Sequence, residues 1–280
     1  NLYPDIVSQV LLGKSSEQRD IFALRISSGY LGWKSPGLKY KMASSNGLPV
    51  LYIQSLLHAR EWLTGATLNS VIQMILQGYK RNKSRRDRRI VKMVNSWDMY
   101  FNPIANPDGY AYTFQKGAEN RMWRKTRSIN TNSACRGVDP NRNFDADWDP
   151  RWVPNCQKCA SNDPCLETYK GPAAASEPEV QAIQNFVRFH RPRIFIDFHV
   201  SGEMVFYPRA ARDRPAPNYA VLKEAEEVAT AALNRLTRKY GASYEGGQAS
   251  TMIRKLTAYG PYSGHKASGS TIDFAYKQGV

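Results

Sequence analysis

Two short apolar runs, each leading into a histidine, set the tightest limits on how this 280-residue chain folds. Val50-Leu51-Tyr52-Ile53, inside PVLYIQSLLHAREW (49–62), is apolar and rich in strand-forming residues, as a buried strand must be. It gives way at His58-Ala59-Arg60-Glu61, and helical spacing begins at Trp62. RIFIDFHV (193–200) is a second such strand and carries His199 at its end. An imidazole and a carboxylate three residues apart at a strand's carboxyl end can turn toward one point, which is where an open α/β sheet presents ligands. Catalytic zinc usually takes three protein ligands and leaves a fourth position for water, so His58, Glu61 and His199 form a candidate His2Glu set. The chain has only four histidines; His190 and His265 fall at a helix end and in a loop. A single histidine at a strand end would more often be a hydrogen-bonded structural residue.

The remaining composition narrows the class. The apolar fraction of 42% and charged fraction of 22% are those of a globular protein able to bury a substantial core. Its uncharged apolar stretches are strand-sized, so no membrane span is expected. The net charge of +15 is concentrated in Lys80–Arg89, seven cations in ten residues. Such a run reads first as a solvated loop after a helix, and it can also bind heparin-like polyanions. Without stacking aromatics or a nucleic-acid fold signature, no nucleic-acid partner is expected. Cys135, Cys156, Cys159 and Cys165 share one segment. A structural zinc site would need a second C-x-x-C, and no βαβ unit opens at the one present, so two disulfides and an oxidising compartment are favoured over metal or redox roles.

Taken in order, residues 1–20 read as a short helix or turn leading to a strand over Ile21–Ile26, and a Gly/Pro/Ser loop runs to Gly47. A core-facing helix is predicted over Glu61–Tyr79, the basic loop follows, then a strand over Trp97–Ile104. Asn106-Pro107-Asp108-Gly109 is a turn signal. The polar, aromatic segment from Gly117 to Trp152 lacks periodicity, which inside a compact domain marks function. Ser176-Glu177-Pro178-Glu179 caps a helix to about His190. Glu203–Tyr207 is a shorter strand and Pro217–Tyr240 an amphipathic helix. The tail from Gly241 reads as loop until a helix starts at Ile272. The expected architecture is α/β: a single domain with a mixed, mainly parallel central sheet flanked by helices.

Five segments in this order carry a further signal: His58-Ala59-Arg60-Glu61-Trp62, Asn106-Pro107-Asp108-Gly109-Tyr110, Arg121-Met122-Trp123-Arg124-Lys125-Thr126-Arg127, Gly137-Val138-Asp139-Pro140-Asn141-Arg142-Asn143 and the His199 strand. Together they resemble the zinc carboxypeptidases of the pancreatic A/B type, from about residue 3 to the end. The resemblance implies that His58, Glu61 and His199 bind Zn2+, that Asn141 and Arg142 clamp the terminal carboxylate of a peptide, and that Arg124 stabilises the oxyanion. A planar guanidinium suits a carboxylate because it meets both oxygens. Arg60 matches a subsite residue beside the metal. Ile272 matches the pocket position that separates apolar from basic preference, which implies an apolar or aromatic C-terminal residue. Asp197 stands where these enzymes usually have a small residue, so it either attracts a cation or pairs internally.

The chain also departs from the pattern. The mobile tyrosine that caps bound substrate is replaced at the matching position by His265, with Tyr262 and Tyr259 as alternatives. The general-base glutamate would fall about seven positions past Val280, and no glutamate follows Glu245. The domain over residues 1–280 is therefore expected to be incomplete at both ends. By the same resemblance Cys135 pairs with Cys165, while Cys156 and Cys159 lie in what looks like an insertion and pair with each other. Asn82-Lys83-Ser84 is the one N-glycosylation sequon. The expectation is a secreted, monomeric zinc exopeptidase acting on peptide and protein C-termini. The alternative is an inactive relative that binds peptide ends or polyanions without turnover.

Overall fold

The computed structural model describes residues 2–28, 47–156, 158–257 and 266–280, which fall into two compact units. One comprises Asn1–Arg127, Pro178–His199 and Gln278–Val280; the other comprises Ser128–Glu177 and Val200–Lys277.

The first unit is built on a mixed sheet. Its elements are β1 (Val7–Lys14), β2 (Asp20–Ile26), β3 (Val50–Gln54), α1 (Trp62–Arg81), α2 (Arg85–Ser96), β4 (Asp98–Asn102), α3 (Pro107–Tyr112), α4 (Ala118–Arg121), α5 (Pro178–His190) and β5 (Ile194–Asp197). The strand order is β1-β2-β4-β3-β5, with β1/β2 and β2/β4 antiparallel and β3/β4 and β3/β5 parallel. Side-chain alternation assigns each face of β3. Ile53, Met99 and Phe101 pack with Leu68, Ile72 and Ile75 of α1 and with Ile90 and Val94 of α2. On the other face Tyr52 meets Phe186 of α5 at 4.7 Å between ring centroids, and Tyr100 meets the same ring at 4.9 Å. Each such side chain contributes about 1.5–3 kcal/mol by leaving water.

Two expectations change here. Residues 7–14 form a strand rather than a helix or turn, because antiparallel pairing with β2 satisfies their backbone. The basic run is largely helical rather than a loop. Asn82 takes a left-handed conformation after α1, and Ser84 then caps α2: its hydroxyl accepts from the Asp87 amide at 3.0 Å while the Asp87 carboxylate accepts from the Ser84 amide at 3.0 Å. Arg81 also binds Asp87 through Nε at 2.8 Å. No helix among the described residues is long and apolar enough to cross a membrane.

The second unit contains β6 (Met204–Tyr207), α6 (Tyr219–Thr237), β7 (Glu245–Gln248), α7 (Ala249–Thr257) and α8 (Thr271–Lys277). β6 and β7 pair in parallel. Residues expected to be loop after Gly241 thus include a strand and a helix, with Met252 and Ile253 turned toward the interior. The aperiodic segment carries 3-10 turns at Pro140–Arg142 and Pro150–Trp152; the disulfide Cys135–Cys165 ties it to the stretch that follows, within which Cys156 and Cys159 form the second disulfide. The longer bridge spans 30 residues, which in the loop-entropy view stabilises by about 3–4 kcal/mol.

Candidate metal centre

β3 ends at Gln54, and the loop that follows is fixed by backbone pairing rather than by regular structure. Ala105 and Asn106 donate their amides to the carbonyls of Ser55 and Leu56 at 3.0 and 3.1 Å, and Ala59 donates to the Arg124 carbonyl at 3.1 Å. The Asn106 side chain joins the same three segments: its Nδ2 donates to the carbonyls of Leu57 at 3.3 Å and Lys125 at 3.0 Å. Its Oδ1 accepts from the Gly109 amide at 2.9 Å, which caps α3. A Cβ on Gly109 would crowd the Lys125 carbonyl and Ala59, so glycine is required there. Leu56 sits at φ 53°, a strained value for a leucine, two residues before His58. The turn motif and the Arg-Met-Trp-Arg-Lys-Thr motif therefore brace the loop that carries the histidine.

Three side chains converge at the end of this scaffold. His58 Nδ1 lies 2.8 Å from Glu61 Oε1, and His199 Nδ1 lies 3.0 Å from Glu61 Oε2 and 3.1 Å from His58 Nδ1. One ligand atom from each residue lies within 4.8 Å of the other two. His58 and Glu61 are 3% and 6% exposed, and the His199 side chain is 30% exposed. Burial opposes ionisation of Glu61, but the His58 and His199 imidazoles outweigh it and hold the carboxyl well below the usual carboxylate range. Burial alone would lower the His199 pKa; Asp197 and then Glu61 overcome that and raise it to about 10. Two imidazoles and a carboxylate turned inward on one point are the donor set and ligand count of a catalytic zinc site.

Two of the expected arginines lie in the same unit. Arg124 Nη1 is 3.9 Å from Glu61 Oε1, and its side chain is 15% exposed. Arg60 donates through Nη1 to the Met122 carbonyl at 3.2 Å, and its own carbonyl accepts from Arg121 Nη1 at 2.9 Å.

Asn141, Arg142 and Ile272 belong to the second unit, where hydrogen bonds tie them into one substructure. Asp139 caps the 3-10 turn, its Oδ1 accepting from the Asn141 amide at 3.0 Å. Asn141 Oδ1 accepts from the Thr271 amide at 3.0 Å and the Thr271 hydroxyl at 3.1 Å. Arg142 donates through Nε to the Cys159 carbonyl at 2.8 Å and through Nη1 to the Asn141 carbonyl at 2.8 Å. Asn143 organises the chain behind, donating to the carbonyls of Lys170 at 2.8 Å and Ala173 at 3.0 Å. Ile272 packs beside Ala210, Ala249 and Ala267, with Phe206 and Ile253 around them. Asp273 fastens that wall from below, accepting from the Ala210 and Ala211 amides at 2.8 and 2.9 Å. Burial pushes the Asp273 carboxyl up to about 6 against those bonds.

Sequence reasoning missed Asp273 and Thr271 as supports. The signal was an Asp and a Thr flanking the pocket position in Thr271-Ile272-Asp273. His265, Tyr262 and Tyr259, the candidate caps, lie outside the described residues.

A family model described as zinc carboxypeptidase matches residues 1–280. Among curated proteins the chain is 35% identical to carboxypeptidase A6 of Homo sapiens over 277 residues, 98% of this chain and 53% of the relative. It is 32% identical to carboxypeptidase A4 of Mus musculus over 279 residues, 99% of this chain and 56% of the relative. The chain thus spans about half the length of the curated relatives it matches. Among solved structures, thrombin activatable fibrinolysis inhibitor superposes with a TM-score of 0.79 at 28% identity, covering 100% of this chain and 60% of that one. Carboxypeptidase A from Helicoverpa armigera superposes with a TM-score of 0.78 at 28% identity, covering 99% and 58%.

Proposed function

The chain belongs to the zinc carboxypeptidase family, and on that footing we propose that the protein carrying it removes C-terminal residues from peptides and proteins, with zinc held by His58, Glu61 and His199. The observation that supports this most is the convergence of those three donors beside the Arg124 guanidinium. Bound there, zinc supplies Lewis acidity toward a carbonyl and lowers the pKa of water.

The chain's own residues divide the remaining work. Arg124 brings positive charge to the side of the centre where an oxyanion develops, a contribution worth most in the transition state. Asn141 and Arg142 hold the substrate's terminal carboxylate, with the guanidinium already steered by the Cys159 carbonyl. Arg60 lines a substrate subsite beside the metal. Ile272, in an alanine- and phenylalanine-lined setting, favours an apolar or aromatic terminal side chain. His265 is the residue we assign to capping the bound substrate. The two disulfides support a secreted protein.

The basic run has a more specific form than its composition suggests. Arg85, Arg88, Arg89 and Lys92 recur at helical spacing along one exposed face of α2, opposite Asp87, Ile90 and Val94. We infer a contact with sulfated polysaccharide along that stripe. Replacing Arg85, Arg88 and Arg89 by serine is expected to lower the salt needed to elute the protein from immobilised heparin; an unchanged elution position refutes it.

Hydrolysis of otherwise identical peptides ending in Phe, Leu and Lys by the full-length protein tests the main reading. Expected is turnover abolished by a zinc chelator, with Phe or Leu fastest. Lys fastest overturns the specificity, and binding without turnover favours the inactive relative.

A further inference from the structure

Asp197 is the position left open between facing a cation and pairing internally, and its surroundings show which it does. It closes β5, two residues before His199. Asp197 Oδ2 lies 3.0 Å from His199 Nε2. His199 directs its other nitrogen, Nδ1, to Glu61 and His58. The aspartate side chain is 1% exposed, whereas the histidine it meets is 30% exposed.

Its burial is built into the sheet. Asn102 is the register partner of Gln54, and Gln54 that of Asp197, so one rung across β4, β3 and β5 is polar from end to end. Asn102 and Gln54 are both fully buried. Asn102 Nδ2 donates to the Tyr52 hydroxyl at 3.0 Å, and the Gln54 amide has no hydrogen-bond partner among the described residues. A buried carboxylate is tolerated only beside polar groups or a partner charge, and the partner it meets here is the His199 imidazole at 3.0 Å.

We propose that Asp197 is a positioning residue for the metal centre, accepting a hydrogen bond from His199 Nε2–H so that Nδ1 keeps its lone pair toward the metal. An imidazole that ligates through one nitrogen must carry its proton on the other, and a carboxylate on that proton fixes both the tautomer and the ring's rotation. The carboxylate also makes Nδ1 a stronger donor. Asp197 is thereby committed to His199 rather than presented to the side chain of a cationic substrate. This inference rests on the zinc reading above.

The test is zinc affinity by competition with a chromophoric chelator, on the full-length protein and its D197A and D197N variants, alongside the melting temperature of each metal-free form. D197A is expected to bind zinc roughly 10–100-fold more weakly with its metal-free melting temperature unchanged. D197N keeps an oxygen acceptor without the charge and is expected to fall between D197A and wild type. Wild-type affinity in D197A overturns the inference, as does a zinc loss matched in both variants by an equal fall in metal-free stability. A wild-type protein that takes up no zinc overturns the zinc reading itself.

Discussion

Asn141 Oδ1 accepts from the Thr271 amide at 3.0 Å, so the turn that carries Arg142 is fastened to the first residue of α8, next to Ile272. In our reading the carboxylate clamp and the pocket wall are thus one mechanical piece. Asn141→Ala removes acceptors for two donors, at a cost of about 1–3 kcal/mol. We expect kcat/KM to fall by at least roughly tenfold while zinc content stays at the wild-type level. Steady-state kinetics beside metal analysis checks this. Loss of zinc in Asn141→Ala would mean that the effect reaches well beyond the turn.

Gly269 makes the same junction from the other side. It sits at φ 61°, and a Cβ there would run into the Arg142 carbonyl, while its own carbonyl accepts from the Phe144 amide at 3.0 Å. Gly269→Ala therefore combines a left-handed backbone penalty with a backbone collision and is expected to cost more than about 2 kcal/mol. Gly241, at φ 78° with open space around its Cβ direction, is the control. Gly241→Ala is expected to cost about 1 kcal/mol. Urea unfolding separates the two, and equal costs would show that close approach to Arg142 does not matter.

Arg124 and Arg142 should fail differently. A group that meets charge only as it develops affects kcat; one that holds the substrate before and during reaction affects KM. Arg124→Ala is expected to lower kcat by roughly 10²–10³-fold. Arg142→Ala is expected to raise KM by roughly 10–100-fold, the loss of a charge-assisted bond. An assay over a range of concentrations of a Phe-ended peptide distinguishes them, and identical kinetic signatures would contradict the assignment.

His190 introduces a pH dependence of its own. Its ring stacks on Phe186 at 4.3 Å between centroids and lies 5.1 Å from Tyr100. Burial lowers its pKa to about 4, with Asp98 opposing and Arg25 reinforcing the shift. The unfolded chain takes up a proton near pH 6.5 and the folded protein only near pH 4, so stability falls as pH drops through that window. The loss amounts to about 2–3 kcal/mol at most. His190→Phe should remove that part of the decline. Unfolding free energies at pH 7 and pH 4.5 test it, and parallel profiles for the two proteins would exclude the histidine as the cause.

The candidate metal ligands could be picked out because His58 and His199 both end apolar runs, and the structure brings their side chains together with that of Glu61. β3 and α1 were legible from uninterrupted apolar patterns, whereas β5, expected to be buried, is the last strand of the described sheet, with Ile194 and Ile196 41% and 37% exposed. β1 was not, since VSQVLLGK lacks clean alternation and is settled by pairing with β2. α2 was hidden by its charge, although Ser84 and Asp87 stand at capping-box spacing ahead of Ile90 and Val94. β7 runs against propensity: Gly246 is there because a side chain would have no room against Glu226. The choice at Asp197, between facing a cation and pairing internally, required knowing which atom lies 3.0 Å away.

Zinc content after dialysis, measured on the full-length protein and on Glu61→Ala and His199→Ala, tests the centre most directly. The account predicts about one tightly held zinc per wild-type chain and almost none in either variant, the usual consequence of removing one of three ligands. A wild-type protein without zinc, or variants that keep it, would contradict it.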